Sequence, residues 1–189
     1  METMEAIRRR CSLKGHLAGR PIEAEKVRAL LNAARLAPSA RNTQPWRFVV
    51  VQGREAVEAL VDASFSEPNR IARRAPVILV ACARPEDDIT KEGRAYYLYD
   101  LGSAVQNLLL AATDLGLVTH LIASFDEAAV KRILGIPDDV RVVVVTPLAY
   151  PDAASYDEAA AERLSQRTRL ELREVAFFGA WGAQPQPRG

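Results

Sequence analysis

The stretch Pro38-Ser39-Ala40-Arg41-Asn42-Thr43-Gln44-Pro45-Trp46 is the most distinctive part of the sequence. Its prolines fix the backbone, and the small residues between them permit close approach to a flat ligand. The amides of Asn42 and Gln44 can donate and accept hydrogen bonds, which suits the edge of a heteroaromatic ring. A plain helix-to-strand connection would also fit the pattern. The density of polar amides directly before an apolar stretch favours a ligand-binding loop.

The segments on either side of this loop have clear periodicities. Helical spacing of the apolar residues predicts a helix over Glu23–Leu36, ended by Pro38. β-Branched and aromatic residues predict a strand over Trp46–Val51. The continuous apolar run Ala75–Ala83 is typical of a strand that is buried on both faces. The loop is therefore expected to connect a helix to a sheet.

The longest helix is predicted over Tyr96–Leu115, and the sequence predicts it to be apolar on nearly all sides. Such a helix is central or packs on a partner subunit. A short strand is predicted over Val118–Ile122, and the last strong strand over Val140–Tyr150. Between them, Asp126 is a candidate N-cap and Gly135 a helix stop. Because this order is not a regular βαβ alternation, the sequence predicts an α+β fold.

Composition limits the class of protein. The chain has 189 residues and a formal net charge of +1. One domain over residues 1–189 is expected, with a frayed tail at 183–189. The charge favours neither nucleic acid nor an anionic membrane as a partner. The apolar runs are too short to cross a bilayer, and the N-terminus lacks an apolar signal core. We therefore expect a cytoplasmic protein.

Common catalytic motifs are missing from the sequence. It contains no Gly-x-Gly-x-x-Gly turn, no Walker-type Gly-Lys-Ser/Thr, no Gly-x-Ser-x-Gly elbow and no His-Glu-x-x-His. The two histidines, His16 and His120, have no close metal-ligand neighbour in sequence. A catalytic triad or a zinc hydrolase is poorly supported. If the chain is an enzyme, a cofactor is expected to carry the reaction.

Two basic clusters are candidates for binding an anion. The first, Arg8–Lys14, combines arginines with the hydroxyl of Ser12 and the ammonium of Lys14. The second, Gln166–Arg169, contains Arg167 and Arg169. Arginine has forked donors that suit phosphate oxygens. Taken alone, each cluster is also typical of a solvated surface.

Together these stretches resemble the FMN-dependent nitroreductase family through most of the chain. The segment Pro38–Trp46 looks like the family's Pro-Ser-x-x-Asn-x-Gln-Pro-Trp, and Ser12 and Lys14 look like its Ser-x-Lys phosphate motif. Arg167 and Arg169 resemble part of its C-terminal arm. Further matches follow the family's order: Ala75-Pro76-Val77, Asp100-Leu101-Gly102, Gln106-Asn107-Leu108, Leu115-Gly116-Leu117, Leu134-Gly135-Ile136-Pro137 and Tyr150-Pro151.

The resemblance implies a fold and an assembly. The expected fold is a mixed, largely antiparallel sheet flanked by helices. The expected assembly is a homodimer that exchanges C-terminal arms and has two sites at the subunit interface. The central helix would pack against its counterpart in the partner.

The resemblance also implies the cofactor-binding residues. Those expected to contact the phosphate of FMN are Arg10, Cys11, Ser12, Lys14, Arg167 and Arg169. Those expected along the isoalloxazine, contributed by the other subunit, are Pro38, Ser39, Ala40 and Asn42. Asn69, or alternatively Arg70 or a neighbour, would contact the flavin. The backbone N–H groups of Ala123 and Ser124 would face the ring near N5.

The implied reaction is a ping-pong exchange. NADH or NADPH would pass a hydride to FMN, and an electron-poor small molecule such as a nitroaromatic or quinone would then be reduced. The resemblance names no catalytic side chain and no metal. Dehalogenation, enoyl-type reduction and flavin fragmentation at the same site remain alternatives, as do a flavin-binding sensor or storage protein and a chain that binds no flavin.

Overall fold

The computed structural model describes residues 1–165 and 168–183. The chain divides into two compact units, Met1–Ser155 and Tyr156–Gly189. Among the helices of the described residues, none is both long enough and apolar enough to span a membrane.

The first unit is built on an antiparallel sheet. Its strands are β1 (Leu17–Ala18), β2 (Trp46–Gln52), β3 (Val77–Ala83), β6 (Val118–Thr119) and β7 (Arg141–Pro151), and a separate two-stranded sheet consists of β4 (Thr90–Lys91) and β5 (Arg94–Ala95). The strand order is β1-β7-β3-β2, and β6 also pairs with β7. The long strand β7 pairs with β3 along most of its length and with β1 and β6 near its end.

Five α-helices belong to the first unit: α1 (Thr3–Arg9), α2 (Ala24–Arg35), α3 (Arg54–Ser64), α4 (Tyr96–Asp114) and α5 (Glu127–Leu134). The core lies on both faces of the sheet. Alternate residues of β3 pack with α2 and α4 on one face and with α3 and α5 on the other. Every residue of β3 is buried, as its continuous apolar run predicts.

Local signals also explain how α5 begins and ends. The carboxylate of Asp126 accepts a hydrogen bond from the N–H of Ala129, and Gly135 ends the helix in the left-handed conformation with φ 65°. Both positions confirm their predicted roles. The predicted strand over Val118–Ile122 is shorter in the structure, because after Thr119 only Ile122 pairs with β7, through Val145.

The central helix α4 differs from its prediction. Its inner stripe is buried as expected, but Leu98 and Tyr99 are exposed, and so are Gly102 and Gln106. The exposed part of α4 therefore carries the large side chains of Leu98 and Tyr99 beside Gly102 and Gln106, and it is uncovered within the single chain. The predicted apolar surface is interrupted at Gly102 and Gln106, which are small or polar.

The second unit contains α6 (Glu158–Ser165) and α7 (Leu172–Val175). Asp157 accepts a hydrogen bond from the N–H of Ala160 at the start of α6, and Glu171 and Glu174 form a capping box at α7. Ala183, the first residue of the predicted tail, exchanges backbone hydrogen bonds with Phe178 and Ala180. Residues 184–189 lie outside the described residues.

Candidate functional site

The segment Arg10–Lys14, which is predicted to bind a phosphate, runs beside β6. Ser12 forms a parallel bridge with Thr119, and the N–H of Leu13 donates to the carbonyl of Thr119 at 3.0 Å. Leu13 is buried, whereas Ser12 and Lys14 are exposed. Because side chains alternate along an extended backbone, the hydroxyl of Ser12 and the ammonium of Lys14 lie on the same side. The exposure pattern agrees with a shared side for these two predicted residues.

Arg10 and Cys11 occupy the turn between α1 and this segment, and both are half-buried. The N–H of Arg10 donates to the carbonyl of Ala6 and ends α1. Cys11 lines a cavity of about 160 Å³ beside Thr113 and Gly116, at the end of α4. The two residues therefore adjoin Ser12 through the backbone.

His120 lies next to this segment and was not predicted as a site residue. Its N–H donates to the hydroxyl of Thr146 at 3.3 Å, and its Nδ1 is buried without a hydrogen-bond partner in the described part of the chain. Burial lowers the pKa of His120, and the charge of Lys14 lowers it further. The imidazole is therefore neutral near pH 7 and close enough to Lys14 to sense its charge.

The loop that is predicted to contact the edge of a flat ring has an unusual backbone over Pro38–Gln44. These residues are called the ring-edge loop below. Arg41, Asn42 and Gln44 have φ values of 52°, 59° and 51°, in the left-handed region that side chains rarely occupy. The hydroxyl of Ser39 accepts a hydrogen bond from the N–H of Gln44 at 3.0 Å and closes the loop. Pro38 and Asn42 are exposed, and Ala40 is half-buried. The loop therefore presents polar groups and small side chains to the outside.

Two carboxyl groups from outside this loop accept hydrogen bonds from it. Asp100 of α4, which is 1% exposed, accepts a hydrogen bond from the N–H of Ala40 at 2.6 Å. Asp88 accepts one from the hydroxyl of Thr43 at 3.0 Å. Burial raises the pKa of Asp100, the Ala40 N–H lowers it, and the neighbouring Asp88 raises it. Sequence reasoning missed both acids, although an aspartate on the apolar stripe of a helix was an available signal.

A third group of predicted residues meets at the start of the 3₁₀ turn Glu67–Arg74. The amide of Asn69 donates to the hydroxyl of Ser66 at 3.1 Å and to the carbonyl of Ser124 at 3.4 Å. Ser124 and Ala123 are exposed, in a short segment held by backbone bonds of Ile122 to Val145 and of Asp126 to Ser64. The structure therefore places Asn69 beside the segment whose N–H groups were predicted to face the ring.

Two further features surround this group. Ala123 lines a cavity of about 420 Å³, whose other lining residues are Tyr97, Leu98, Phe125, Glu127, Arg141, Val142 and Val143. Arg70 pairs with Glu67 at 2.9 Å, but its Nε is buried and has no hydrogen-bond partner among the residues described. A buried donor of this kind is available to a ligand at little desolvation cost.

The second basic cluster belongs to the second unit. Arg169 is exposed, and its guanidinium donates to the carbonyl of Thr168 at 2.6 Å. Arg167 lies outside the described residues. The expected contact of both arginines with a phosphate stays a prediction.

A larger cleft of about 730 Å³ lies elsewhere on the first unit. It is lined by residues that include Gly53, Arg54, Arg73 and Arg74. Arg54 pairs with Glu58 and Arg73 with Asp62, so these two cations are already neutralised. None of the described residues that line the cleft was predicted for the site.

Comparisons with known proteins agree on one family. The family model described as "Nitroreductase family" matches residues 7–72 and 67–150. A relative from Archaeoglobus fulgidus, provisionally named an NADH dehydrogenase/NAD(P)H nitroreductase, is 34% identical over 166 residues, which is 84% of this chain and 91% of that protein.

Solved structures show the same likeness. A nitroreductase family protein from Clostridium novyi NT is 30% identical, with a TM-score of 0.75 over 97% of this chain and 96% of that one. An oxidoreductase described as containing FMN is 29% identical, with a TM-score of 0.80 over 95% of this chain and 92% of that one. The predicted α+β fold is thereby confirmed.

Proposed function

Because the chain belongs to the nitroreductase family, we propose that it binds FMN and transfers electrons from NADH or NADPH to a small electron-poor acceptor. The observation that carries the proposal is the alignment of Ser12 and Lys14 on one side of the segment beside β6. A hydroxyl and an ammonium so arranged suit the oxygens of a phosphate.

The donor set fits both ends of FMN. Arg10, Cys11, Ser12 and Lys14 bind the phosphate, and Arg167 and Arg169 add charge from the C-terminal segment. Pro38, Ser39, Ala40 and Asn42 lie along the isoalloxazine. Small or short side chains at these positions let the backbone approach the ring, and the exposed Asn42 amide supplies polar contacts.

The opposite edge of the ring meets Asn69 and the Ala123–Ser124 segment. Because the carbonyl of Ser124 accepts bonds from Asn69 and Ser66, the backbone of this segment is held in one orientation. Its N–H groups then stabilise negative charge that develops at the ring, since fixed donors require no reorganisation. Asn69 both orients this segment and contacts the flavin.

FMN bound there would supply the redox chemistry, taking a hydride from NADH or NADPH and giving two electrons to the acceptor, so that donor and acceptor would use one site in turn. The residues of the chain bind and orient the reactants and exclude water from the stacked faces. No side chain of the site is assigned as a catalytic acid or base. Nitroaromatics and quinones are the acceptor class, because they accept two electrons readily and the protons that their reduction consumes can come from water.

The assembly proposed is a homodimer. Exposed residues of the C-terminal segment are Leu170, Leu172, Val175, Phe178 and Trp181, and those of α4 include Leu98, Tyr99, Gly102 and Gln106. Exposed apolar side chains in this number are typical of a protein interface. A partner subunit would cover them and bring the ring-edge loop to the phosphate segment of the other chain.

An anaerobic titration tests the reaction. Purified protein is reconstituted with FMN, and its absorbance is followed as NADH or NADPH is added without oxygen. The flavin bands should bleach, and addition of a quinone or nitroaromatic should restore them. Bands that stay unchanged with both nicotinamides would contradict the proposed function, and bleaching without return would exclude this acceptor class.

A further inference from the structure

The cavity of about 420 Å³ beside Ala123 combines apolar walls with free hydrogen-bond donors. Leu98 and Phe125 form part of the apolar lining. Tyr97 also lines the cavity, and although this residue is only 8% exposed, its hydroxyl has no hydrogen-bond partner in the described part of the chain. Sites for small molecules have this volume and this combination of apolar walls with a few polar groups.

Arg141 is the cation among the described residues that line this cavity, and Glu127 fixes its orientation. Nε and Nη2 of Arg141 donate to the two carboxylate oxygens of Glu127 at 2.9 and 3.0 Å, so one edge of the guanidinium is occupied. At the other edge, Nη1 donates to no group within residues 1–165 and 168–183. Such an edge presents two parallel N–H donors, which match the two oxygens of a carboxylate.

The negative charge of Glu127 does not oppose an anion at the free edge. Its oxygens accept hydrogen bonds from Arg141 and from the N–H of Val142, and Oε1 lies 3.5 Å from Nζ of Lys131. One carboxylate therefore faces two cations, which leaves an excess of one positive charge on this side of the cavity. A local positive excess favours a ligand that carries a negative group.

The cavity adjoins the place proposed for the flavin. Ala123 lines the cavity, and its N–H is the group proposed to face the ring near N5. A ligand in the cavity would therefore lie beside the reacting part of the ring, where an electron acceptor has to be held.

We propose that Arg141 and Tyr97 bind a carboxylate of the acceptor, so that the preferred substrates are electron-poor aromatic carboxylates. The aromatic ring of the substrate lies against Leu98 and Phe125, and Glu127 is a positioning residue for the guanidinium. This inference rests on the proposed function, which it deepens by naming the class of acceptor. It assigns the two donors to binding and adds no step to the electron transfer.

Three variants and two probes test the proposal. Arg141→Gln removes the charge and the free edge, and Tyr97→Phe removes only the hydroxyl. Arg132→Gln is the matched control, because Arg132 is an exposed arginine of α5 that is not among the described residues lining the cavity. The probes are 4-nitrobenzoate and 4-nitrobenzamide, which share the ring and the nitro group and differ in charge.

The kinetic test measures kcat/KM of the FMN-loaded enzyme for each probe. In Arg141→Gln, the value for 4-nitrobenzoate should fall about tenfold, a loss reduced by solvent screening because the Arg141 side chain is 54% exposed. In Tyr97→Phe, it should fall about threefold. The values for 4-nitrobenzamide, and both values in Arg132→Gln, should change little. Equal falls for the two probes in Arg141→Gln would overturn the proposal.

The same variants separate the acceptor from the hydride donor. In a ping-pong reaction, kcat/KM for NADH or NADPH depends only on the half-reaction with the nicotinamide. This value should be the same in Arg141→Gln and in the wild type. A loss as large as that for 4-nitrobenzoate would assign Arg141 to the donor and would overturn its role in acceptor binding.

Direct binding gives a readout that does not depend on activity. The nitrogen-15 NMR signal of the Arg141 Nε–H, identified by its loss in Arg141→Gln, is followed in the full chain with and without FMN. It should shift and saturate with 4-nitrobenzoate and stay in place with 4-nitrobenzamide. A signal that responds to both probes or to neither would overturn the carboxylate site. A chain that binds 4-nitrobenzoate in this way but takes up no FMN would support the carboxylate site and overturn the proposed function.

Discussion

Strand β3 and the C-terminal segment Thr168–Ala183 are both rich in apolar side chains, yet they differ in burial. All seven residues of β3 are buried, whereas Trp181 is 92% exposed and its ring contacts Phe177 at a centroid distance of 4.9 Å. The first region finds its packing partners within one chain. The second carries apolar surface that a single chain does not cover, and this difference supports a second subunit.

The largest expected effect is the loss of stability when a buried side chain of the core is shortened. Leu79 is 1% exposed and packs with α2 and α4. Leu79→Ala should lower the free energy of unfolding by about 2–5 kcal/mol, because the cavity relaxes only partly. Denaturant unfolding followed by circular dichroism measures the change. The control is Leu36→Ala, which alters an exposed leucine, and similar losses in both variants would contradict the account of the core.

The converse substitution is Trp181→Ala in the C-terminal segment. It should leave the unfolding of the isolated chain within about 0.5 kcal/mol, as expected for an exposed position. If a partner covers the ring, the same change should weaken dimerisation by about 2–4 kcal/mol. Sedimentation velocity over a concentration series measures this, with Ile133→Ala of α5 as control. An unchanged dimer constant would show that the segment is not part of the interface.

A substitution of a charged residue in the same C-terminal segment tests whether this segment also binds the ligand. Arg169→Ala removes a predicted phosphate contact and should weaken FMN binding by about 1.5–3 kcal/mol. Fluorescence titration with FMN gives the value, and Arg28→Ala on the exposed face of α2 controls for loss of a surface charge. FMN affinity that matches the wild type would show that Arg169 does not reach the phosphate.

The smallest expected effect on stability comes from an ion pair on the surface of the first unit. Glu127 accepts hydrogen bonds from the guanidinium of Arg141 and from the N–H of Val142, and so ties α5 to β7. The bond from Arg141 is the largest cause that lowers the pKa of Glu127. A lowered pKa stabilises the fold above the ordinary glutamate value and loses that contribution as the pH falls.

The corresponding variant is Glu127→Gln. It should lower the free energy of unfolding by about 1 kcal/mol near pH 7, a value reduced for solvent screening. The difference from the wild type should shrink as the pH falls below the ordinary pKa of a glutamate and the lowered pKa of Glu127 is passed. Glu55→Gln on α3 is the control. A difference that persists at low pH would mean that Glu127 acts through packing alone.

Local signals made much of the fold predictable. The helix expected over Glu23–Leu36 is α2, Ala24–Arg35, because its apolar spacing and the following proline are both short-range features. The buried β3 followed from its continuous apolar run. The exposure of Gly102 and Gln106 on α4 could not be predicted in this way, because burial there depends on what packs against the helix.

The site residues likewise divide into pairs that the local sequence could predict and pairs that it could not. Ser12 and Lys14 are two residues apart, so their shared side follows from the backbone alone. Asp100 and Ala40 are separated by 60 positions, and Asn69 and Ser124 by 55. No periodicity links such residues, and only the folded chain brings them into contact. The resemblance suggested Asn69 and Ser124 but gave no role to Asp88 or Asp100.

The most direct test of the account compares FMN with riboflavin, which has the same ring and lacks the phosphate. Both are titrated into the apo protein under the same conditions, with binding followed by fluorescence. We expect a stoichiometry of one FMN per chain and an affinity on the order of 100-fold higher than for riboflavin, because at least two charge-assisted contacts are lost. Equal affinity for the two ligands, or no binding of either, would contradict the assignment of Ser12 and Lys14 to a flavin phosphate.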